Sequence, residues 1–494
     1  MTALPAAGRR ALAVKPPAQQ QMGLALAFLA LVAVVCAMSL AGLGVLAQPF
    51  YVLAGAGFAW LTMRRSPWLY LTATLWFWLL TAFVRRFIEW RTGFNPTNII
   101  LATPNLMMLF MLKDILTAPG LLAKRELGPG LAVGAAISYG ICVSFFRGDV
   151  VPGAVAAADW LSPLFYFFFI AAHSGKAGSL EPHFRAFLPL IMGVTVPYGF
   201  FQYFFMPDWD AQWMINSGMK SIGAPVPMEV RVFGTTNNPG FLAFWTGTCV
   251  LLAPFIRSKA LNALVPAAAF LLILTLVRAA YGSVTVGLLA AMVLGRGQAF
   301  KPLLLGAVVL VTIFAGLTVV SPVVANRVTA RFDSMQSLDS DDSALTRQRI
   351  YQETPDIIDS HPLGLGIGAI GRGAVASGGH EYVDVDSGPL AAYLALGWVG
   401  GTVYIFGLLL AAGQALAAAR RHRSPLILGF ACAAICPLAT FVFINVNGFS
   451  GVLVWICLGC VAALSSRPRT VAAPAMPTGS TQRTDTVFRP TPTR

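Results

Sequence analysis

The sequence predicts an all-α polytopic membrane protein of about 12 to 14 transmembrane helices with one large extramembrane loop, on three observations. Of 494 residues, 57% are hydrophobic and only 11% charged, and the mean hydropathy is +0.71. Soluble domains carry roughly a quarter charged residues. Apolar stretches near the roughly 18 to 20 residues that a helix needs to cross hydrocarbon recur along the chain. The alternating segments of about ten residues that mark outer-membrane barrels are not seen. Finally, polarity is concentrated: residues 321–388 hold ten of the twenty acidic residues, five arginines and two of the five histidines.

Residues 1–21 read as a polar, basic N-terminal tail in the cytoplasm. No clear small-residue cleavage site follows the first apolar run, which is therefore expected to remain as an uncleaved helix. The expected spans are 22–41, 43–62, 67–84, 98–117, 129–147, 150–172, 184–205, 237–256, 261–277, 279–295 and 301–320, then 388–412, 425–443 and 448–465. Some of the short ones could be re-entrant or interfacial, which makes twelve the lower count. The chain thus divides into transmembrane helices over 22–320, a large outer loop over 321–388, further helices over 389–466, and a disordered cytoplasmic tail over 467–494, rich in Pro, Thr and Ala.

Basic residues set the orientation. With the N terminus inside, the even-numbered connections carry Arg64 and Arg65, Lys124 and Arg125, Lys176 and Arg185, Arg257 and Lys259, Arg296 and Lys301, and Arg420, Arg421 and Arg423. Residues 85–97 are the exception, since Arg85, Arg86 and Arg91 would lie outside beside Glu89 alone and could meet anionic headgroups. The net charge of +14 is therefore scattered in twos and threes, which speaks for membrane orientation and against nucleic-acid binding. All seven cysteines (Cys36, Cys142, Cys249, Cys432, Cys436, Cys457 and Cys460) fall in apolar segments, leaving none for loop disulfides or a metal cluster. The CxxC spacing of Cys457 and Cys460 reads as helix packing. Without HExxH or another ligand spacing, no metal is expected.

Three polar elements then face outwards: the loop 206–236, a tight turn at Arg278, and the segment 321–388. Arg231, in EVRVFGTTNNPGFLAFW, reads as a headgroup anchor or as a phosphate ligand. Arg278 interrupts LLILTLVRAAYGSVTVGLL, where a charge is costly and hence a functional candidate, unless the turn makes it an interfacial anchor. Two planar guanidinium groups opening to one side suit the oxygens of a diphosphate. In the long segment, Ser343 or Thr346 is expected to cap a helix with Ile350, Tyr351, Ile357 and Ile358 at helical spacing, bent at Pro355. Arg347 and Tyr351 share a face of it, as a substrate contact or a solvated surface. His361, before a proline, reads as fixing the loop. The run GLGIGAIGRG brings backbone close to a ligand or simply turns tightly. It lacks the GK[ST] of a phosphate loop.

HEYVDVDSG places His380, Glu381, Asp384 and Asp386 just before the twelfth span. A His or Asp there could serve as base to a sugar hydroxyl, or Asp386 could cap the helix with Ser387. Asp159 in the sixth span and Lys113 with Asp114 in the fourth read as an ion path of a transporter or as residues near helix ends. His173, His183 and His422 belong to the cytoplasmic face and show no evident partner.

Four pieces occur in a telling order: RVFGTTNNP from Arg231, LTLVRAAYGS around Arg278, TRQRIY with Arg347 and Tyr351 leading to SHPLGLGIG, and DVDSGPLAAYLALGWVGG with Asp386. Over roughly residues 225–410 the chain resembles the O-antigen polymerase and ligase superfamily, the Wzy-type and WaaL-type, GT-C-like membrane glycosyltransferases. The resemblance implies inverting, metal-independent transfer without a cofactor on the periplasmic face of the bacterial inner (cytoplasmic) membrane. Donor and acceptor would be oligosaccharides linked to undecaprenyl diphosphate. Arg231 and Arg278 would hold the diphosphate and stabilise its leaving charge, Arg347 and Tyr351 would bind substrate, and His380, Asp384 or Asp386 would be the base. Besides the lipid bilayer, a flippase and a chain-length regulator are the implied partners.

Ligases of this superfamily usually carry a histidine shortly before an asparagine where this chain has Val383 to Ser387 with aspartates. That departure favours a polymerase of exopolysaccharide, capsule or O-antigen repeats over a ligase to lipid A core. From another class, the rival is a lipid-linked-oligosaccharide flippase or other transporter, which should show paired broken helices in two related halves. In a background without the native cysteines, a cysteine placed within 321–388 is expected to react with a membrane-impermeant maleimide on intact cells. Labelling only after permeabilisation would place the segment inside and sink the polymerase reading.

Overall fold

The computed structural model describes residues 16–295, 342–376, 378, 385 and 387–466. In chain order its helices are α1 (Pro17–Leu40), α2 (Gly44–Arg65), α3 (Pro67–Thr92), α4 (Thr103–Thr117), α5 (Gly128–Phe146), α6 (Val150–Ala172), α7 (Leu180–Phe205), α8 (Asp208–Ser217), α9 (Pro239–Ile256), α10 (Lys259–Leu274) and α11 (Arg278–Leu294). Then follow α12 (Asp342–Ser360), α13 (Arg372–Ala376), α14 (Gly388–His422), α15 (Pro425–Leu438) and α16 (Gly448–Ser465). Among the described residues, eleven helices are long and apolar enough to cross a membrane, with α10 and α11 as two shorter apolar ones. The chain is an all-α polytopic membrane protein.

Every expected span but 301–320, which lies outside the described residues, is a helix. Two boundaries move for physical reasons. α1 starts at Pro17, a favoured first helical residue, and draws Gln21 from the expected tail into the bundle, where its Nε2 donates to Thr72 Oγ1 at 2.8 Å. α3 runs to Thr92 rather than ending at 84. Beyond Trp76 and Phe77, which are fully buried, the pattern Val84, Phe87, Ile88 keeps one apolar face toward the core.

α14 is broken rather than continuous. Gly397 takes φ +66° inside it, so backbone groups on either side lose their helical partners. The segment after α12 replaces them: Leu365 N–H donates to Leu394 O at 2.8 Å, Gly366 N–H to Ala395 O at 2.9 Å, and Trp398 N–H to Pro362 O at 3.0 Å. α5 holds the same segment from the other side, with Tyr139 Oη donating to Leu363 O at 2.8 Å and Ser144 Oγ accepting from Gly368 N–H at 2.9 Å. Close backbone approach in GLGIGAIGRG is thus to the protein's own helices. Gly364 has φ +87°, and a Cβ on it would sit 2.5 Å from Gly397 N and 2.6 Å from Ala395 O. His361 fixes the start of this segment, its Nδ1 lying 3.1 Å from Ile357 O and 3.0 Å from Ser360 Oγ.

A side chain at Gly397 would meet Pro362 O as well as the left-handed backbone penalty of about 1 to 2 kcal/mol. Gly397→Ala is therefore expected to lower the melting temperature of the detergent-solubilised protein. Gly413→Ala, in the same helix with open space around it, should leave stability unchanged or raise it by up to about 1 kcal/mol. Equal melting of the two variants would show that the break does not hold the segment.

Candidate active site

The end of α3 is built around a fully buried ion pair. Arg86 Nε lies 2.7 Å from Asp210 Oδ1, with neither side chain exposed. A buried charge needs its remaining hydrogen-bonding groups satisfied, and here four of the five N–H groups of Arg86 have a partner. Arg86 also donates to Gly234 O at 2.6 Å, Thr236 O at 2.5 Å and Asn237 Oδ1 at 3.0 Å, and lies over the rings of Phe233 and Trp213. The second oxygen of Asp210 accepts from Gln202 Nε2 at 2.5 Å and Tyr198 Oη at 2.9 Å. Gln202 Oε1 in turn accepts from Phe233 N–H and Gly234 N–H. The stretch VFGTTNN before α9 is therefore fixed by α3, α7 and α8. Asn238 finishes it, its side chain accepting from Gly240 N–H as the N-cap of α9.

Arg231 leads into that stretch. Its Nε donates to Thr275 O at 3.3 Å, its Nη1 to Ser221 O at 2.8 Å and its Nη2 to Leu276 O at 3.2 Å. These bonds brace the turn between α10 and α11, where Leu276 has φ +52°, a conformation that a non-glycine residue holds only when its surroundings impose it. Arg278 follows as the first residue of α11, half-buried. A positively charged side chain at the positive end of a helix dipole is a combination suited to an anion.

The second half of this end is built on α6, α12, α14 and the residues before α16. Tyr351 Oη lies 3.0 Å from Ser387 Oγ, the N-cap residue of α14, and donates to Val442 O at 3.0 Å. Arg347 lies one turn earlier in α12. Asp159, buried in α6, accepts from Arg372 Nη1 at 2.9 Å and from Asn105 Nδ2 at 3.4 Å. The two halves meet where Phe449 of α16 packs on Trp78 of α3 and Phe241 of α9. Arg231, Arg278, Tyr351, Asp159 and Arg372 thus share one end of the bundle. His380, Asp384 and Asp386 lie outside the described residues.

Several sequence readings change. Arg85 and Arg86 are buried in α3, Arg85 pairing with Glu89 at 2.7 Å, so they do not face headgroups. Asp159 sits at the end shared by the site and pairs with Arg372. At the opposite end Asp114 lies 3.3 Å from His173 Nε2, and His183 Nδ1 lies 2.7 Å from Ser179 O, so both histidines have partners. The Arg86–Asp210 network went unread, although FVRRFIEW keeps helical apolar spacing through the arginines and PDWDAQW carries the proline and acidic first turn of a helix start.

Residues 263–405 match the family model described as O-antigen ligase. The match supports the resemblance to the Wzy-type and WaaL-type superfamily and takes in Arg278, Arg347, Tyr351 and the break at Gly397. A search of the curated proteins finds no match.

Arg86→Ala would leave Asp210 buried and unpaired, at a cost of about 3 to 5 kcal/mol. A large drop in melting temperature, or loss of the monodisperse peak in size-exclusion chromatography, is expected. Arg86→Ala melting with the wild type would remove the pair from its structural role.

Proposed function

We propose that this protein is a polysaccharide polymerase of the bacterial inner membrane. It joins oligosaccharide repeat units carried on undecaprenyl diphosphate at the periplasmic face, by inverting, metal-independent glycosyl transfer, in exopolysaccharide, capsule or O-antigen synthesis. The observation that carries the reading is the match of residues 263–405 to the O-antigen ligase family over a stretch in which Arg278 opens a helix at the polar end of the bundle. A glycosyltransferase-like role follows from the family, and the polar end supplies groups for it.

In this reading Arg278 and the N terminus of α11 take the diphosphate, and Arg231 sets the turn that presents them. The acceptor hydroxyl attacks the anomeric carbon while its proton passes to a base among His380, Asp384 and Asp386. The new glycosidic C–O bond forms with inversion as the C–O bond to the diphosphate breaks, and the leaving electron pair stays on the phosphate oxygen. Stabilising that oxygen is where fixed positive charge contributes most. Arg347 and Tyr351 are assigned to holding the sugars, with Tyr351 tying α12 to the start of α14. A flippase supplying the lipid-linked units and a chain-length regulator would be the partners.

The family's description favours a second reading, a ligase that moves finished glycan from the same donor to lipid A core. The lengths of glycans on undecaprenyl diphosphate in cells carrying Arg278→Ala separate the two, compared with wild type at matched protein level. Accumulation of single repeat units with loss of polymer is expected for the polymerase. Long lipid-linked chains that never reach their final acceptor would mark a ligase, and an unchanged profile would take Arg278 out of the mechanism.

A further inference from the structure

Beside Val385 the structure holds a small polar cavity that no step above uses. Its volume is about 30 Å³, and its walls include Asp159, Trp160, Arg372, Asn445 and Asn447. That is room for about one water or one hydroxyl group. Asn445 Nδ2 donates to Val385 O at 2.8 Å, while Asn445 Oδ1 is buried and has no donor. A buried carbonyl oxygen without a donor is costly unless something arrives to satisfy it.

The charged wall is arranged to receive a group from outside. Asp159 is buried, but the side chain of its partner Arg372 is 47% exposed. Its guanidinium can therefore keep the ion pair and still offer N–H groups to a visitor. A hydroxyl is the group that fits both walls, since it donates to Asn445 Oδ1 and accepts from Arg372. A phosphodiester, with no proton to give, could only accept, leaving Asn445 Oδ1 unsatisfied and bringing negative charge toward Asp159.

We infer that Asp159, Arg372 and Asn445 form a binding subsite for a hydroxyl of the acceptor sugar. The inference rests on the transferase reading. The acceptor is assigned, rather than the donor, because Val385 lies between Asp384 and Asp386, two of the three residues from which the base is proposed. The attacking sugar must lie within reach of that base. Arg372 and Asn445 bind this sugar directly, and Asp159 orients Arg372.

The test uses the full-length protein in nanodiscs, with labelled glycan on undecaprenyl diphosphate as saturating donor and repeat units on a shortened diphosphate lipid as the varied acceptor. Arg372→Ala and Asn445→Ala are expected to raise the acceptor KM about tenfold, as loss of a hydrogen bond to a polar substrate group does, with kcat within about twofold of wild type. Arg372→Lys should recover part of the loss, and the donor KM should not move. An active wild type with unchanged acceptor KM in both alanine variants, each melting as wild type, overturns the subsite alone. If wild type forms no glycosidic bond, the transferase reading fails and the subsite with it.

Discussion

One buried ion pair, Arg86 with Asp210, fixes the part of the molecule that carries Arg231. Both side chains are wholly removed from solvent, so their attraction must offset the loss of hydration of two charges. Such a pair is a weak source of stability in general. Here it acts through geometry. Three further donors of Arg86 are directed to carbonyl groups of an irregular stretch with no helix of its own, and Gln202 takes two of that stretch's N–H groups. The stretch cannot slide without leaving a charge unpaired. Arg231 at its head therefore meets the α10–α11 turn in one register, and the position of Arg278 follows from it.

The second half of the same end meets the same constraint without charge. Irregular backbone at membrane depth is tolerated only where protein supplies its hydrogen bonds. The break at Gly397 frees groups of α14, and the segment after α12 supplies partners for three of them. Glycine is needed on both sides of this contact, at Gly364 and Gly397, because each backbone occupies the space where the other would carry a side chain. A device of this kind joins the segment after α12 to the membrane helices through main-chain hydrogen bonds.

Much of this was legible from apolar run length alone. Thirteen helices fall where the runs are, because a bilayer forces nearly every crossing segment to satisfy its own backbone. The helix at 342–360 was legible from the spacing of Ile350, Tyr351, Ile357 and Ile358, and the sharp turn at Arg278 from a charge inside an apolar run. Pairing was not legible. Nothing local distinguishes the buried Arg86 from an exposed Arg91 five residues on, since the difference lies in Asp210, which is 124 residues away. Asp159 carries the same lesson, its partner Arg372 being 213 residues distant. Glycine-rich sequence announced close approach at 364–373 but could not say to what.

The distribution of buried charge bears on what kind of machine this is. Among the described residues, the buried arginines and carboxylates are Arg85, Arg86, Glu89, Asp159 and Asp210, and all lie toward the end that carries Arg231 and Arg278. Deeper in the bundle stand large apolar side chains, with Trp76 packed on Phe28 and Phe187, and Phe187 on Trp245. A carrier moving a polar group across the bilayer needs polar side chains along the way and, in many folds, two related broken helices. Among the described residues, α14 alone carries a non-helical residue inside it. Buried arginines and carboxylates gathered toward one end, rather than strung through the bundle, suit chemistry at one surface better than passage across the bilayer. The bundle also has to keep its own irregular backbone satisfied, and among the described residues fixed contacts do so: Arg86 with the stretch before α9, and Leu365, Gly366 and Trp398 across the break in α14.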